Sequence, residues 1–103
     1  STLSFKDLLL SAKKMMKEDS RFALVLPFYE SRLFIKEAEQ LGFYLQKEML
    51  IIPIEGKDAN RVNMQFVLNE VDNVETECLT IRNKDYSYTE EYREFLKDYY
   101  LDF

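Results

Sequence analysis

The chain has 103 residues, no His or Trp, one Cys, two Gly and two Pro, with 14 basic against 19 acidic side chains. At 47% hydrophobic and 15% aromatic residues it can bury a core, which excludes intrinsic disorder and bounds it at one domain or part of one. The shortages exclude zinc clusters, His-dependent nucleophile pairs, an intrachain disulfide and, with Gly42 and Gly56 far apart, any glycine-rich nucleotide cradle.

Ser4 is placed as a helix N-cap, with Asp7 three residues on and Leu3 and Leu8 as a hydrophobic staple. Phe5, Leu8, Leu9, Ala12, Met15 and Met16 then recur at helical spacing, and Glu18-Asp19-Ser20 ends the helix. Lys6, Lys13, Lys14 and Lys17 occupy its other side and read mainly as a solvated face. Arg21 to Leu26 is a continuous apolar run closed by Pro27, the pattern of an interior parallel strand buried on both faces.

Tyr29 to Leu41 returns to helical spacing through Leu33, Phe34, Ala38 and Leu41, and Gly42 takes the position after the C-cap. Phe43 to Ile52 reads as a strand stopped by Pro53, so residues 21–52 make a βαβ unit with two parallel strands in one sheet. Ile54 to Asn60 is a polar turn. Arg61 to Leu68 alternates apolar and polar residues, and the short connection makes it an antiparallel partner of Phe43 to Ile52.

Asn69 to Glu77 is acidic and loop-like, Cys78 to Arg82 is one more short strand, and Lys84-Asp85 is a turn. Thr89 caps a final helix with Glu90 and Glu91 in its first turn, where acids complement the helix dipole and need no catalytic role. That helix carries Tyr92, Phe95, Leu96, Tyr99 and Tyr100. The fold class is α/β: a βαβ unit, an antiparallel last strand, an extra short strand and a terminal helix.

Cys78 reads as a small buried hydrophobe in a reducing compartment. Apolar runs such as Ala23 to Leu26 are too short to span a bilayer and nothing resembles a secretory signal, so the expected location is cytoplasmic. Residues 1–65 carry ten basic against nine acidic side chains and residues 66–103 four against ten, so RNA contacts are expected from the first two-thirds.

A βαβ unit followed by an antiparallel strand is the end of a doubly wound sheet, and the first βα turn that would bind a ligand is missing. The chain opens with Ser1 and a helix that would cover a sheet barely begun, which reads as residues 1–103 of a partial single domain. The strand-Pro F-A-L-V-L-P, the F-Y-E that follows and the helix to L-G-F-Y-L come first. The hairpin N-R-V-N-M-Q-F-V-L and the ending L-T-I-R-N-K-D-Y-S-Y-T-E-E-Y-R-E-F-L-K-D-Y-Y-L-D-F follow in order. Together they resemble the C-terminal half of the bacterial valine-tRNA adenine-N6 methyltransferases, over nearly the whole chain.

The resemblance implies a Rossmann-like class I sheet and an S-adenosylmethionine-dependent enzyme that methylates the N6 amino group of an adenine in tRNA. In that family a glycine-rich turn holds the cofactor and an N-P-P-Y motif holds the adenine. Neither occurs here, because Pro27 and Pro53 follow Leu26 and Ile52. Catalytic and cofactor-binding residues are therefore expected in the missing N-terminal half, and the fragment alone is expected to be inactive. It is also expected to self-associate through the exposed edge of Arg21 to Leu26.

Three residues are candidates for substrate binding. Tyr29 follows the carboxyl end of a buried strand, the edge where ligands bind in this architecture, and could line the pocket of a flipped-out base or simply pack the next helix. Lys57 and Arg61 lie at the same edge, where cations in a turn could grip tRNA phosphates or stand as a solvated hairpin tip. Tyr86, Tyr88, Tyr92, Tyr99 and Tyr100 invite a stacking role, but helical spacing and local negative charge favour packing of the terminal helix on the sheet. The rival reading is a stand-alone small α/β module that binds a protein or RNA partner.

Overall fold

The structure, a computed structural model, describes residues 4–99. Leu3, Tyr100 and the end of the chain lie outside the described residues, and with them the expected staple of Leu3 on Leu8. The first helix, α1 (Phe5–Met15), starts where the Ser4 hydroxyl accepts a hydrogen bond from the Asp7 amide at 3.1 Å. Its buried stripe is Phe5, Leu9, Ala12 and Met16, and Met15, one residue round the helix, is exposed instead of packed.

The strand β1 (Arg21–Pro27) runs without a loop into helix α2 (Phe28–Gln40). The chain returns through β2 (Tyr44–Ile54), β3 (Arg61–Val67), β4 (Glu75–Arg82) and helix α3 (Glu90–Tyr99), the expected succession of elements. The sheet order is β1-β3-β2-β4. β3 pairs antiparallel with both β1 and β2, so the two strands of the βαβ unit are parallel but not adjacent. The tight β2–β3 hairpin folds β3 into the gap that the α2 crossover leaves, satisfying the backbone groups on both of its sides.

Five aromatic and several aliphatic side chains close the core between one face of the sheet and the two helices α1 and α2. Phe34 of α2 meets Phe5 at 5.1 Å and Phe66 at 5.5 Å between ring centroids, edge to face, and Phe22 lies 6.0 Å from Phe43. Leu9, Phe34, Ala38, Phe43, Val62 and Phe66 have no solvent exposure. A bulge between Leu45 and Lys47 re-aims β2, so that Leu45 and Glu48 both face the helices while Lys47 faces away.

Three expectations are corrected. β1 is not buried on both faces: Phe22, Leu24 and Leu26 face the core, whereas Ala23 and Val25 lie on an open face, Val25 being 54% exposed. Only one layer of helices covers that part of the sheet among the described residues. β4 begins at Glu75 and not at Cys78, because it pairs in parallel with Lys47 to Ile54 of β2, which draws the acidic segment into the sheet. Cys78 is exposed, since β4 is an edge strand and Cys78 shares the α2 side of the sheet with Leu50, beyond the reach of α2.

Helix α3 packs on the opposite side of β4. The Thr89 hydroxyl accepts from the Tyr92 amide at 3.1 Å and donates to the Thr80 carbonyl, so one side chain both caps the helix and ties it to the strand. Glu91 adds a second tie by accepting from the Thr80 amide at 3.1 Å. No helix among the described residues is long and apolar enough to cross a membrane.

Candidate functional site

The carboxyl ends of β1, β2 and β4 and the start of β3 fall on one edge of the sheet, and the sequence-derived candidates gather there. The Phe28 amide donates to the Asn60 carbonyl at 3.0 Å, so the first turn of α2 is held directly against the residue before Arg61. In the strand register Pro27 stands opposite Arg61. Tyr29, two residues beyond Pro27, thus falls at the same edge as Arg61 and is 70% exposed. Packing of α2 falls instead to Phe34 and Ala38, which leaves Tyr29 available to a ligand.

Lys57 sits in the β2–β3 turn, closed by its own amide donating to the Ile54 carbonyl at 3.0 Å, with Gly56 at φ +89 taking the left-handed position. Both Lys57 and Arg61 are exposed, and neither forms an ion pair among the described residues. The N-terminus of α2 opens on the same edge, and its side chains offer the helix no N-cap hydrogen bond. Arg32, one turn further on, is not free: it pairs with Glu48 and lies over the Phe28 ring at 4.9 Å.

The sequence reading missed what the β4–α3 connection adds to this edge. The Glu55 amide donates to the Arg82 carbonyl at 2.8 Å, and a Cβ on Gly56 would lie 3.7 Å from Lys84 Cε. The hairpin of residues 83–88 is thus adjacent to the turn that carries Lys57. Tyr86 and Tyr88 belong to this hairpin and are exposed; for Tyr86 this corrects the expectation of packing, whereas Tyr88 does lie against Tyr92 of the terminal helix. Tyr92 alone of the described tyrosines in that group is half-buried, 5.4 Å from Tyr88 between ring centroids.

The hairpin is rigidly built. Arg82 stacks over Tyr88 at 4.2 Å, donates to the Tyr88 hydroxyl at 3.0 Å and to the Tyr86 carbonyl at 2.7 Å. The Ser87 hydroxyl and amide donate to Asp85 Oδ1 at 2.6 and 3.0 Å, which holds the Asp85 carboxyl below its usual value. No pattern of residue types marks these contacts, although the K-D-Y-S run signals a turn.

A concave space of about 440 Å3 lies elsewhere, on the open sheet face between Ala23, Met49, Asn63, Gln65 and Phe95. It is bounded by Lys47, Glu75 and Glu77 at the opposite ends of the strands from Tyr29. Most of its strand residues lie on the sheet face opposite α1 and α2, away from the edge that carries Tyr29.

The described residues do not fit an S-adenosylmethionine cradle. β1 enters α2 with no intervening loop, Gly42 is closed off by the Lys13 ammonium and Gly56 belongs to a hairpin turn. A backbone approach to the cofactor needs glycines in a strand-to-helix turn, and none is there.

No family model matches the chain. Curated proteins named tRNA1(Val) (adenine(37)-N6)-methyltransferase do match it. The one from Trichodesmium erythraeum is 30% identical over 98% of this chain and 42% of its own length. Those from Actinobacillus pleuropneumoniae and a Shewanella species are 31% and 32% identical over 99% and 97% of this chain, and 43% and 42% of their own. The chain spans about two-fifths of the length of the curated relatives it matches. A crystal structure described as a predicted O-methyltransferase from Agrobacterium tumefaciens superposes with a TM-score of 0.66 at 16% identity, over 91% of this chain and 44% of that one. The chain thus has a Rossmann-like methyltransferase fold, and the resemblance to the tRNA adenine-N6 methyltransferases holds along almost its entire length.

Proposed function

We propose that this chain is the C-terminal part of an S-adenosylmethionine-dependent enzyme that methylates the N6 amino group of an adenine in tRNA, and that it supplies the substrate side. The carrying observation is the alignment of 97–99% of the chain with relatives named for that reaction. The cofactor and the groups that hold the reacting adenine belong, in this reading, to segments outside the chain, which offers no cradle for them. Residues 1–103 are then a partial single domain working in the cytoplasm, where tRNA is modified.

The role of this chain's own residues follows from the carboxyl-terminal edge. Tyr29 offers an exposed ring to an unpaired base, and Lys57 and Arg61 offer unpaired cations to phosphates. Holding the RNA in register lowers the entropy cost of bringing the adenine amino group in line with the methyl donor.

The test uses the longest open reading frame that contains the chain. Unmodified tRNA is incubated with the protein and labelled cofactor, and label at adenine N6 is expected, while residues 1–103 alone transfer none. In the same assay Lys57→Glu raises the Michaelis constant for tRNA and leaves cofactor binding unchanged. An open frame that starts at this chain and a protein without transfer activity favour instead a stand-alone module that binds a partner.

A further inference from the structure

We propose that the hairpin of residues 83–88 is a second RNA contact, in which the Tyr86 ring stacks on an unpaired base and the Lys84 ammonium meets an adjoining phosphate. This rests on the reading of tRNA as substrate and extends it to the turn that follows β4.

The first support is conformational. Tyr86 has φ 71, the left-handed region, where a bulky side chain is disfavoured and Gly or Asn is the usual occupant. Its amide donates to the Asn83 carbonyl at 2.9 Å and its carbonyl accepts from Arg82, so the backbone is held in that state. The residue that results is 65% exposed. A bulky residue held in the left-handed region is the kind of backbone strain that binding sites retain.

The second support is placement. Along the edge the order is Tyr29 after β1, Arg61 at the start of β3, Lys57 after β2, and Lys84 and Tyr86 after β4. Three strand spacings separate the two ends, about 14 Å, so two exposed rings flank a row of cations over the length of a few nucleotides. Glu55, Asp58 and Asp85 share these turns, and Asp85 is engaged by Ser87. The local charge is therefore close to balanced. Stacking, not bulk phosphate neutralisation, must supply most of the binding, and single-stranded RNA with splayed bases is the ligand that offers it.

The experiment measures binding of the full-length protein to a short unmodified RNA stem-loop and to the same sequence as a continuous duplex, at two salt concentrations. Tyr86→Ala weakens stem-loop binding about five- to 150-fold and leaves duplex binding unchanged. Tyr86→Phe, which keeps the ring, binds as the parent does, and Lys84→Gln weakens binding with a smaller salt slope. Tyr86→Gly suits the backbone, so it keeps or raises the melting temperature while it loses the stem-loop, which separates binding from folding. Stem-loop affinity unchanged in Tyr86→Gly, or equal losses for stem-loop and duplex, overturns the inference while tRNA methylation still supports the wider reading. A parent protein that neither binds the stem-loop nor methylates tRNA overturns both.

Discussion

Lys13 Nζ donates to the Leu41 carbonyl at 2.7 Å, so a side chain from α1 caps the C-terminus of α2. The spacing of the lysines suggested a solvated face, and for Lys13 the structure corrects this: its charge meets the negative end of the neighbouring helix dipole. The same ammonium lies 2.9 Å from where a Cβ on Gly42 would sit, and Gly42 has φ +88. Lys13→Met is expected to cost about 1 kcal/mol in urea unfolding, and Gly42→Ala about 1–2 kcal/mol. The double variant should cost less than the sum, since removing Lys13 removes the clash but not the backbone strain.

Glu48 shows the same economy inside the sheet. The bulge at Leu45 to Lys47 turns Glu48 to the α2 side, where its carboxylate is about 10% exposed and accepts from Arg32 at 2.5 Å and from Thr76 at 3.3 Å. Arg32 is 37% exposed and can rehydrate, so Glu48→Ala should cost about 1–2 kcal/mol. Glu48→Gln, which keeps an acceptor, should cost less. Urea midpoints of the two variants decide this.

The 83–88 hairpin should loosen in acid. The Asp85 carboxyl is held below its ordinary value by the Ser87 hydroxyl and amide, so the folded hairpin prefers the ionised form. Its contribution is complete above the ordinary carboxylate range and is lost as pH falls through the lowered value. The Ser87 amide resonance should therefore shift with a midpoint below that of an unstructured Asp. Asp85→Asn should abolish the transition and increase hydrogen exchange at Tyr86 and Ser87.

Residues 1–103 alone should self-associate. β1 pairs only with β3 among the described residues, and Val25 exposes an apolar side chain beside that free edge. Sedimentation should show concentration-dependent association that Val25→Lys suppresses. A single monomeric species at high concentration contradicts it.

Much of the local structure was legible in the sequence because it depends on neighbours a few residues apart. Ser4 with Asp7, Thr89 with Tyr92 and Gly42 after the C-cap are contacts within one helical turn, and residue type alone announces them. Residue types alone predict too short a β4 because Glu75 and Glu77 have low strand propensity; only the parallel pairing with β2 overrides it. Of the candidate site, Tyr29, Lys57 and Arg61 followed from the rule that ligands meet the carboxyl ends of parallel strands.

By itself the sequence determined the α/β class, the order of elements and the resemblance to the tRNA methyltransferases. Those properties reside in composition, short-range periodicity and ordered motifs. The tertiary structure alone decided that β3 lies between β1 and β2, that Cys78 is exposed and that Lys84 adjoins the turn bearing Lys57. Each depends on which strands pair across dozens of residues, and pairing partners are chosen by the whole buried surface and leave no mark at any single position.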